Sequence, residues 1–231
     1  MKAEILKILK KEKDYVSGQE LCESLGVSGQ QLCEQLGVSR TAVWKAIRQL
    51  EEEGYVIEAV RNKGYRLVED ADVLTVAELR SVLDTKWLGK ELEYYYETDS
   101  TNNRARDAAE KGASHGFLAV ADCQTAGKGR RGRVWNSPHG TDIYMSFVLR
   151  PTFTPSQASM LTLVAGMAVV KGVQKATGLS AMIKWPNDAV VNGKKICGIL
   201  TEMSTEEDAI RYVVPGIGIN VNATEFPEEI R

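Results

Sequence analysis

The 231-residue chain has little histidine and little cysteine: His115 and His139, and Cys22, Cys33, Cys123 and Cys197, with no C-x-x-C pair. Two histidines leave scant material for a histidine-based triad, which argues against a covalent serine or cysteine hydrolase. The cysteine spacing argues for reduced thiols and against a structural zinc site, so no metal ligands are expected, and Cys123 and Cys197 read as small core residues. A run of about 18 apolar residues is also missing. The longest apolar helical stretch covers 160–170, and Met1, Lys2, Ala3 and Glu4 do not open a signal peptide. These absences lead to the expectation of a cytoplasmic protein without membrane contact. Net charge is nearly flat, 29 Lys and Arg against 31 Asp and Glu, so any site for a polyanion must be built locally. With 43% hydrophobic and 26% charged residues, the chain is globular, with room for one or two domains.

The local exception is the stretch 127–133, where Gly127, Lys128, Gly129, Arg130, Arg131, Gly132 and Arg133 put four cations and three glycines into seven residues without an acid. Glycines let a backbone approach a ligand closely, and guanidinium groups clasp phosphate or carboxylate through paired hydrogen bonds. The same composition also suits a solvated surface loop.

Residues 1–68 read as a first domain. Ile5, Leu6, Ile8 and Leu9 recur at helical spacing, and Ser39 stands as the N-cap of a second amphipathic segment running to Gly54. On that segment Val43, Ile47 and Leu50 share one face, Thr41, Lys45 and Arg48 lie roughly opposite, and Trp44 is on the flank. Alternation through 55–60, a turn at Arg61, Asn62, Lys63 and Gly64, and a return at 65–67 read as a hairpin with a basic tip. Helix, turn, helix and basic wing is the order of a winged helix-turn-helix, in which Arg40, Thr41, Trp44, Lys45 and Arg48 would face a major groove and Lys63 would touch phosphate. A small helical module that docks a protein has the same pattern. With 11 basic and 10 acidic residues in this stretch, one copy would bind DNA modestly and dimerisation would be needed.

Residues 17–27 are repeated at once by 28–38, with differences only at Glu20/Gln31 and Ser24/Gln35. One copy is surplus to a helix-turn-helix. Gly26 and Gly29, each costing about 1 kcal/mol inside a helix, argue against one continuous helix. One copy is expected to pack and the other to bulge out, impairing DNA binding.

Acidic residues mark a linker at 69–79, and helical and strand-like segments alternate through a second domain at 80–231. Asp99, Ser100, Thr101 and Asn102 precede a helical stretch as a cap whose N–H groups and hydroxyls could hold a polar ligand. The strand 117–121 delivers Gln124 to the basic loop, with Trp135 after it. Thr154 and Pro155 open a long helix read as core. Lys184 stands just before a turn fixed by Pro186, Asn192 and Gly193 signal a tight hairpin, and 213–221 is a glycine-bearing strand that can let a ring approach its backbone.

Four motifs in this order, STN at 100–102, QTAGKGRRGRVW at 124–135, KWPND at 184–188 and GIGIN at 216–220, together with the N-terminal winged helix, resemble the bifunctional biotin protein ligases that also repress the biotin operon (BirA type). That family usually has Arg where Lys128 stands, and it carries a further stretch and a small SH3-like β-domain beyond GIGIN, which this sequence, as it stands to Arg231, is expected to lack. The resemblance implies an α+β protein: a winged helix-turn-helix followed by a class II synthetase-like mixed-sheet catalytic domain. It implies formation of biotinoyl-5'-AMP from biotin and ATP with Mg²⁺, then transfer to a lysine of a biotin carboxyl carrier protein. It also implies operator DNA as a partner and a ligand-dependent homodimer. On the family's pattern Ser100, Thr101, Asn102, Gln124, Lys128, Gly129, Arg130 and Lys184 would contact biotin. Arg131, Trp135, Asn187 and Asn220 would contact the nucleotide, and Lys184 and Arg130 would act in catalysis. Two other readings stay open: a sensor that binds biotin without efficient ligation, and a ligase acting on lipoate.

Overall fold

The computed structural model describes residues 1–24, 40–207 and 209–224. The expected N-cap Ser39, the second copy of the repeat and the end of the first lie outside the described residues, as does the side chain of Arg40. The chain divides into two compact units, Met1–Asp84 and Thr85–Arg231.

The first unit contains α1 (Lys2–Lys11), α2 (Gly18–Ser24), α3 (Arg40–Glu52), β1 (Val56–Val60), β2 (Gly64–Glu69) and α4 (Val76–Val82). Its core follows from periodicity. Ile5, Leu6 and Leu9 of α1 meet Leu21 of α2 and Val43, Ile47 and Leu50 of α3, and all are buried. β1 and β2 pair antiparallel, and the turn between them carries Asn62 at φ 65°. Gly64 sits at φ 112° where a Cβ would run into the Val16 backbone, so the hairpin can close against the α1–α2 connection only through a residue without a side chain. The stretch 69–79, expected as a linker, lies wholly inside this unit, which runs on to Asp84. Thr75 caps α4 by accepting from Glu78 N, and Glu78 then accepts from Lys10 Nζ at 2.6 Å and from Tyr55 Oη at 2.6 Å, so α4 is tied to α1.

The second unit is built on a seven-stranded mixed sheet of order β3-β4-β5-β9-β8-β7-β6: β3 (Leu92–Thr98), β4 (Leu118–Gln124), β5 (Ile143–Phe147), β6 (Ala181–Lys184), β7 (Asp188–Val191), β8 (Lys194–Glu206) and β9 (Ala209–Ile219). β3 and β4 run parallel, joined by α5 (Thr101–Glu110), and the other neighbours are antiparallel. Asn192 at φ 51° and Gly193 at φ 78° make the β7–β8 turn foreseen from their sequence. Ala105 and Ala109 of α5 pack with Phe117, Ala119, Val148, Tyr212 and Val214 in one core cluster, and α6 (Met160–Thr177) packs with β7, β8 and β9 in another.

α6 departs from the core helix that was expected. Ala165, Gly166 and Val169 face the sheet, but Met160, Val164 and Met167 are 61%, 56% and 50% exposed. The segment Pro155–Thr177 is long and apolar enough to cross a membrane by length and composition alone. Its regular α-helix begins at Met160, after a single 3₁₀ turn at Pro155–Gln157.

Candidate functional site

The N-terminus of α5, the end of β4, the basic loop and the middles of β8 and β9 surround an open cleft of about 440 Å³ including the solvent at its mouth. Ser100, Thr101, Asn102, Gln124, Lys128, Gly129, Arg130, Trp135 and Asn187 all line it. Nine of the twelve side chains or glycines expected from the sequence therefore converge from three separate stretches of chain, 100–102, 124–135 and 187.

One end of the cleft is a closed polar network. Gln124 Oε1 accepts from Thr101 N at 2.8 Å and from Thr101 Oγ1 at 3.1 Å, and its Nε2 donates to Ser137 Oγ at 2.9 Å. Ser146 Oγ, fully buried on β5, lies 2.8 Å from both Thr101 Oγ1 and Asn102 Oδ1, and Asn102 Nδ2 donates to Glu202 Oε2 at 2.7 Å. Each group is oriented before any ligand arrives, the arrangement that lowers the cost of recognising a small polar group. Asp99 anchors the helix start. Its burial would raise its pKa, but hydrogen bonds from Asn103 Nδ2, Ser100 N and Thr98 Oγ1 and the charge of Arg104 outweigh that and hold the carboxyl below its ordinary value. Ser100, the residue before α5, is almost fully buried and makes no side-chain capping bond.

The other end is cationic. Gly129 N donates to Arg133 O at 2.7 Å and Trp135 N to Gly127 O at 2.8 Å, which closes the basic loop into a tight turn with Arg131 at φ 58°. Lys128 Nζ reaches Asn103 Oδ1 at 2.6 Å, and Arg130 Nη1 reaches Asn187 Oδ1 at 3.0 Å. Arg130 is met by a neutral amide and keeps its charge available to an anion, whereas Lys128 also has the Glu202 carboxylate at 4.0 Å.

The floor is glycine. The indole of Trp135 lies on Gly198 of β8 and Gly218 of β9, each of which would clash with it through a Cβ, and Gly216 admits the Asn102 side chain in the same way. The Trp135 Nε1 is buried without a hydrogen-bond partner, and Lys195 Nζ stands 5.2 Å from the ring centroid while pairing with Asp188 at 2.9 Å. The glycines of GIGIN were legible as a strand that admits a ring. Gly198, Lys195, Ser137, Ser146 and Glu202 were not singled out, although a serine on the buried face of the otherwise apolar β5 is a signal that period-two alternation could have raised.

Lys184, Arg131 and Asn220 do not line the cleft. Lys184 is exposed at the end of β6, opposite Asp188 in the strand register; Arg131 is exposed in the loop; Asn220 follows β9 and donates its backbone N–H to Ile196 O. Cys197 is buried and its thiol is pushed up to about 12 by that burial, so it serves as core. Cys123 is only half-buried, unlike the core residue expected.

In the first unit Thr41, Trp44, Lys45 and Arg48 are exposed on α3, with Arg48 paired to Glu51 at 3.0 Å and set over the Trp44 ring. Lys63 at the hairpin tip is exposed and 5.7 Å from the Tyr15 ring centroid.

A family model described as the Biotin/lipoate A/B protein ligase family matches residues 94–220, the span that contains every part of this cleft. The chain belongs to the biotin/lipoate A/B protein ligase family. A second model, an HTH domain, matches residues 26–66, in keeping with the winged helix-turn-helix expected ahead of the ligase-family sheet. The chain is 49% identical over 220 residues to the bifunctional ligase/repressor BirA of Bacillus subtilis (strain 168), covering 94% of this chain and 64% of that protein. It is 34% identical over 217 residues to the protein of the same name from Escherichia coli (strain K12), covering 94% and 63%. It also resembles the solved biotin protein ligase from Aquifex aeolicus in complex with biotin and ATP, at 39% identity and a TM-score of 0.51 over 61% of this chain and 56% of that one. The chain spans just under two thirds of the length of these curated relatives of the ligase family.

Proposed function

We propose that the second unit binds biotin and ATP, forms biotinoyl-5'-AMP with release of pyrophosphate, and passes the biotinoyl group to a lysine of a biotin carboxyl carrier protein. The first unit would bind operator DNA as part of a ligand-dependent homodimer in the cytoplasm. The observation that carries this reading is the make-up of the cleft: preset hydrogen-bonding groups at Thr101, Asn102 and Gln124, with Glu202 anchoring Asn102, the cations Lys128 and Arg130, and a glycine floor. That layout suits a ligand with a polar ring at one end and a carboxylate at the other.

Joining a carboxylate to an α-phosphate brings anions together, so the protein's task is alignment and charge neutralisation. Ser100, Thr101, Asn102 and Gln124 would hold the biotin ring. Lys128, Gly129 and Arg130 would fold over the carboxylate and phosphate, with Trp135 and Asn187 beside the nucleotide. Lys184, Arg131 and Asn220 would act from the rim, Lys184 and Arg131 on phosphate charge and Asn220 on the nucleotide. The lining residues include no carboxylate, so magnesium would arrive on the nucleotide phosphates as part of the substrate. Thr41, Trp44, Lys45 and Arg48 would enter the major groove from α3, together with Arg40, and Lys63 would meet the backbone.

The test is to incubate the chain with biotin, Mg·ATP and an apo carrier domain, and to follow pyrophosphate, biotinoyl-5'-AMP and biotinylated carrier separately. Biotin-dependent pyrophosphate release and modified carrier are expected. A folded sample that binds biotin but releases no pyrophosphate would replace the enzyme with a biotin sensor, and preferential turnover of lipoate would overturn the substrate.

A further inference from the structure

Three side chains that the proposed chemistry leaves unused meet where β3 and β4 end. Glu97 and Cys123 are register partners in that parallel pair, and His139 comes from the segment after Pro138. A carboxylate oxygen, the Sγ and an imidazole nitrogen of the three lie within 4.8 Å of one another. The imidazole is held in place: Nδ1 is 2.7 Å from Asp122 Oδ2, and the Tyr96 ring stacks on it at 4.4 Å between centroids and 27° between planes. Asp122 is itself oriented, accepting from Gly140 N at 3.2 Å.

Donating Nδ1–H to Asp122 fixes the tautomer and turns the Nε2 lone pair toward Glu97 Oε2, 3.5 Å away. A lone pair facing a carboxylate is repelled unless positive charge lies between them, supplied by a second proton on the ring or by a bound cation. A carboxylate on the far nitrogen is also how histidine ligands of metals are oriented. Burial, then the negative charges of Glu97 and Asp122, raise the Cys123 thiol above its ordinary value, so a cation binding there must displace the thiol proton. The donor set of one nitrogen, one sulfur and one oxygen suits a borderline-soft ion and is wrong for magnesium or calcium.

We propose that Glu97, Cys123 and His139 form a site for a divalent cation of the zinc class, with water as the fourth ligand and Asp122 orienting the imidazole. Tetrahedral zinc would draw the three atoms to roughly 3.5 Å from one another, a contraction that the exposed side chains of Glu97 and His139 can make. Binding would release the thiol proton. It would also tie together the strand ends that lead into Ser100 and Gln124, although the proposal does not depend on what that cleft binds.

The test uses the full chain, stripped of metal by a chelator and titrated with Co²⁺ and then Zn²⁺. We expect one equivalent of cobalt per chain with a sulfur-to-cobalt charge-transfer band in the near ultraviolet, bleached by zinc. Cys123→Ser should abolish the band, and His139→Gln and Asp122→Asn should weaken zinc binding on the order of 10- to 100-fold, with circular dichroism confirming that each variant folds. Failure to bind, cobalt binding without the thiolate band, a band that survives Cys123→Ser, or zinc affinity unchanged by His139→Gln would each overturn the site.

Discussion

At the residue scale, the cleft depends on atoms that are missing. Gly216, Gly198 and Gly218 are not needed for turns; they lie within strands, where glycine ordinarily weakens pairing, because Asn102 and Trp135 occupy the space a Cβ would take. Asn102 cannot step aside cheaply, since Glu202 and Ser146 hold its amide. Gly216→Ala is therefore expected to destabilise the second unit by about 1–3 kcal/mol through overpacking and to weaken biotin binding at the same time. Urea denaturation and calorimetric titration check it, and a variant with unchanged biotin affinity would show that the Asn102 position is not part of recognition.

Elements are held by a few polar ties whose strength varies with pH. The C-terminal end of α5 is joined to β9 through Glu110, which accepts from Tyr212 Oη at 2.6 Å and from Arg211 Nη2 at 2.9 Å. The Tyr212 hydrogen bond, followed by the charge of Arg211, holds the Glu110 carboxyl below its ordinary value of 4.5. A carboxylate with a depressed folded pKa contributes fully above its unfolded value, and that contribution is lost as pH falls through the folded one. Tyr212→Phe should thus cost stability at neutral pH and cost progressively less as pH drops below 4.5. The comparison is thermal unfolding of both proteins across that range, and parallel curves would remove Glu110 from the acid limb.

On the scale of the whole molecule, each unit has a core of its own, one around Ile5, Leu6 and Leu50 and the other in the clusters beside α5 and α6. Two cores on one chain predict unfolding in more than one step. Trp44 is the only tryptophan of the first unit, whereas Trp87, Trp135 and Trp185 belong to the second. Adding biotin should raise the midpoint of the second unit's transition by mass action and leave the first nearly unmoved. Chain variants with Trp44 as the sole tryptophan, or without it, separate the two signals; a single coincident transition that biotin shifts as a whole would mean the units unfold together.

Much of this protein was legible in its sequence because short-range physics is written locally. The 3.6-residue period of Val43, Ile47 and Leu50 specified the buried face of α3, Asn192-Gly193 specified a turn, and seven residues of glycine and cation marked the loop that brings Lys128 and Arg130 to the cleft. Sequence periods cannot say which distant groups meet. Asn102 and Glu202, one hundred residues apart, share a hydrogen bond only because α5 packs on β5 and β9 and the sheet places β8 next to β9. For the same reason Gly198 was not recognisable as a seat for Trp135, Lys184 and Asn220 do not line the cleft their motifs were expected to join, and three unlinked residues at 97, 123 and 139 face one another. Local pattern determined the elements and the charge of the site, while strand order, which depends on how whole faces bury together, decided its membership.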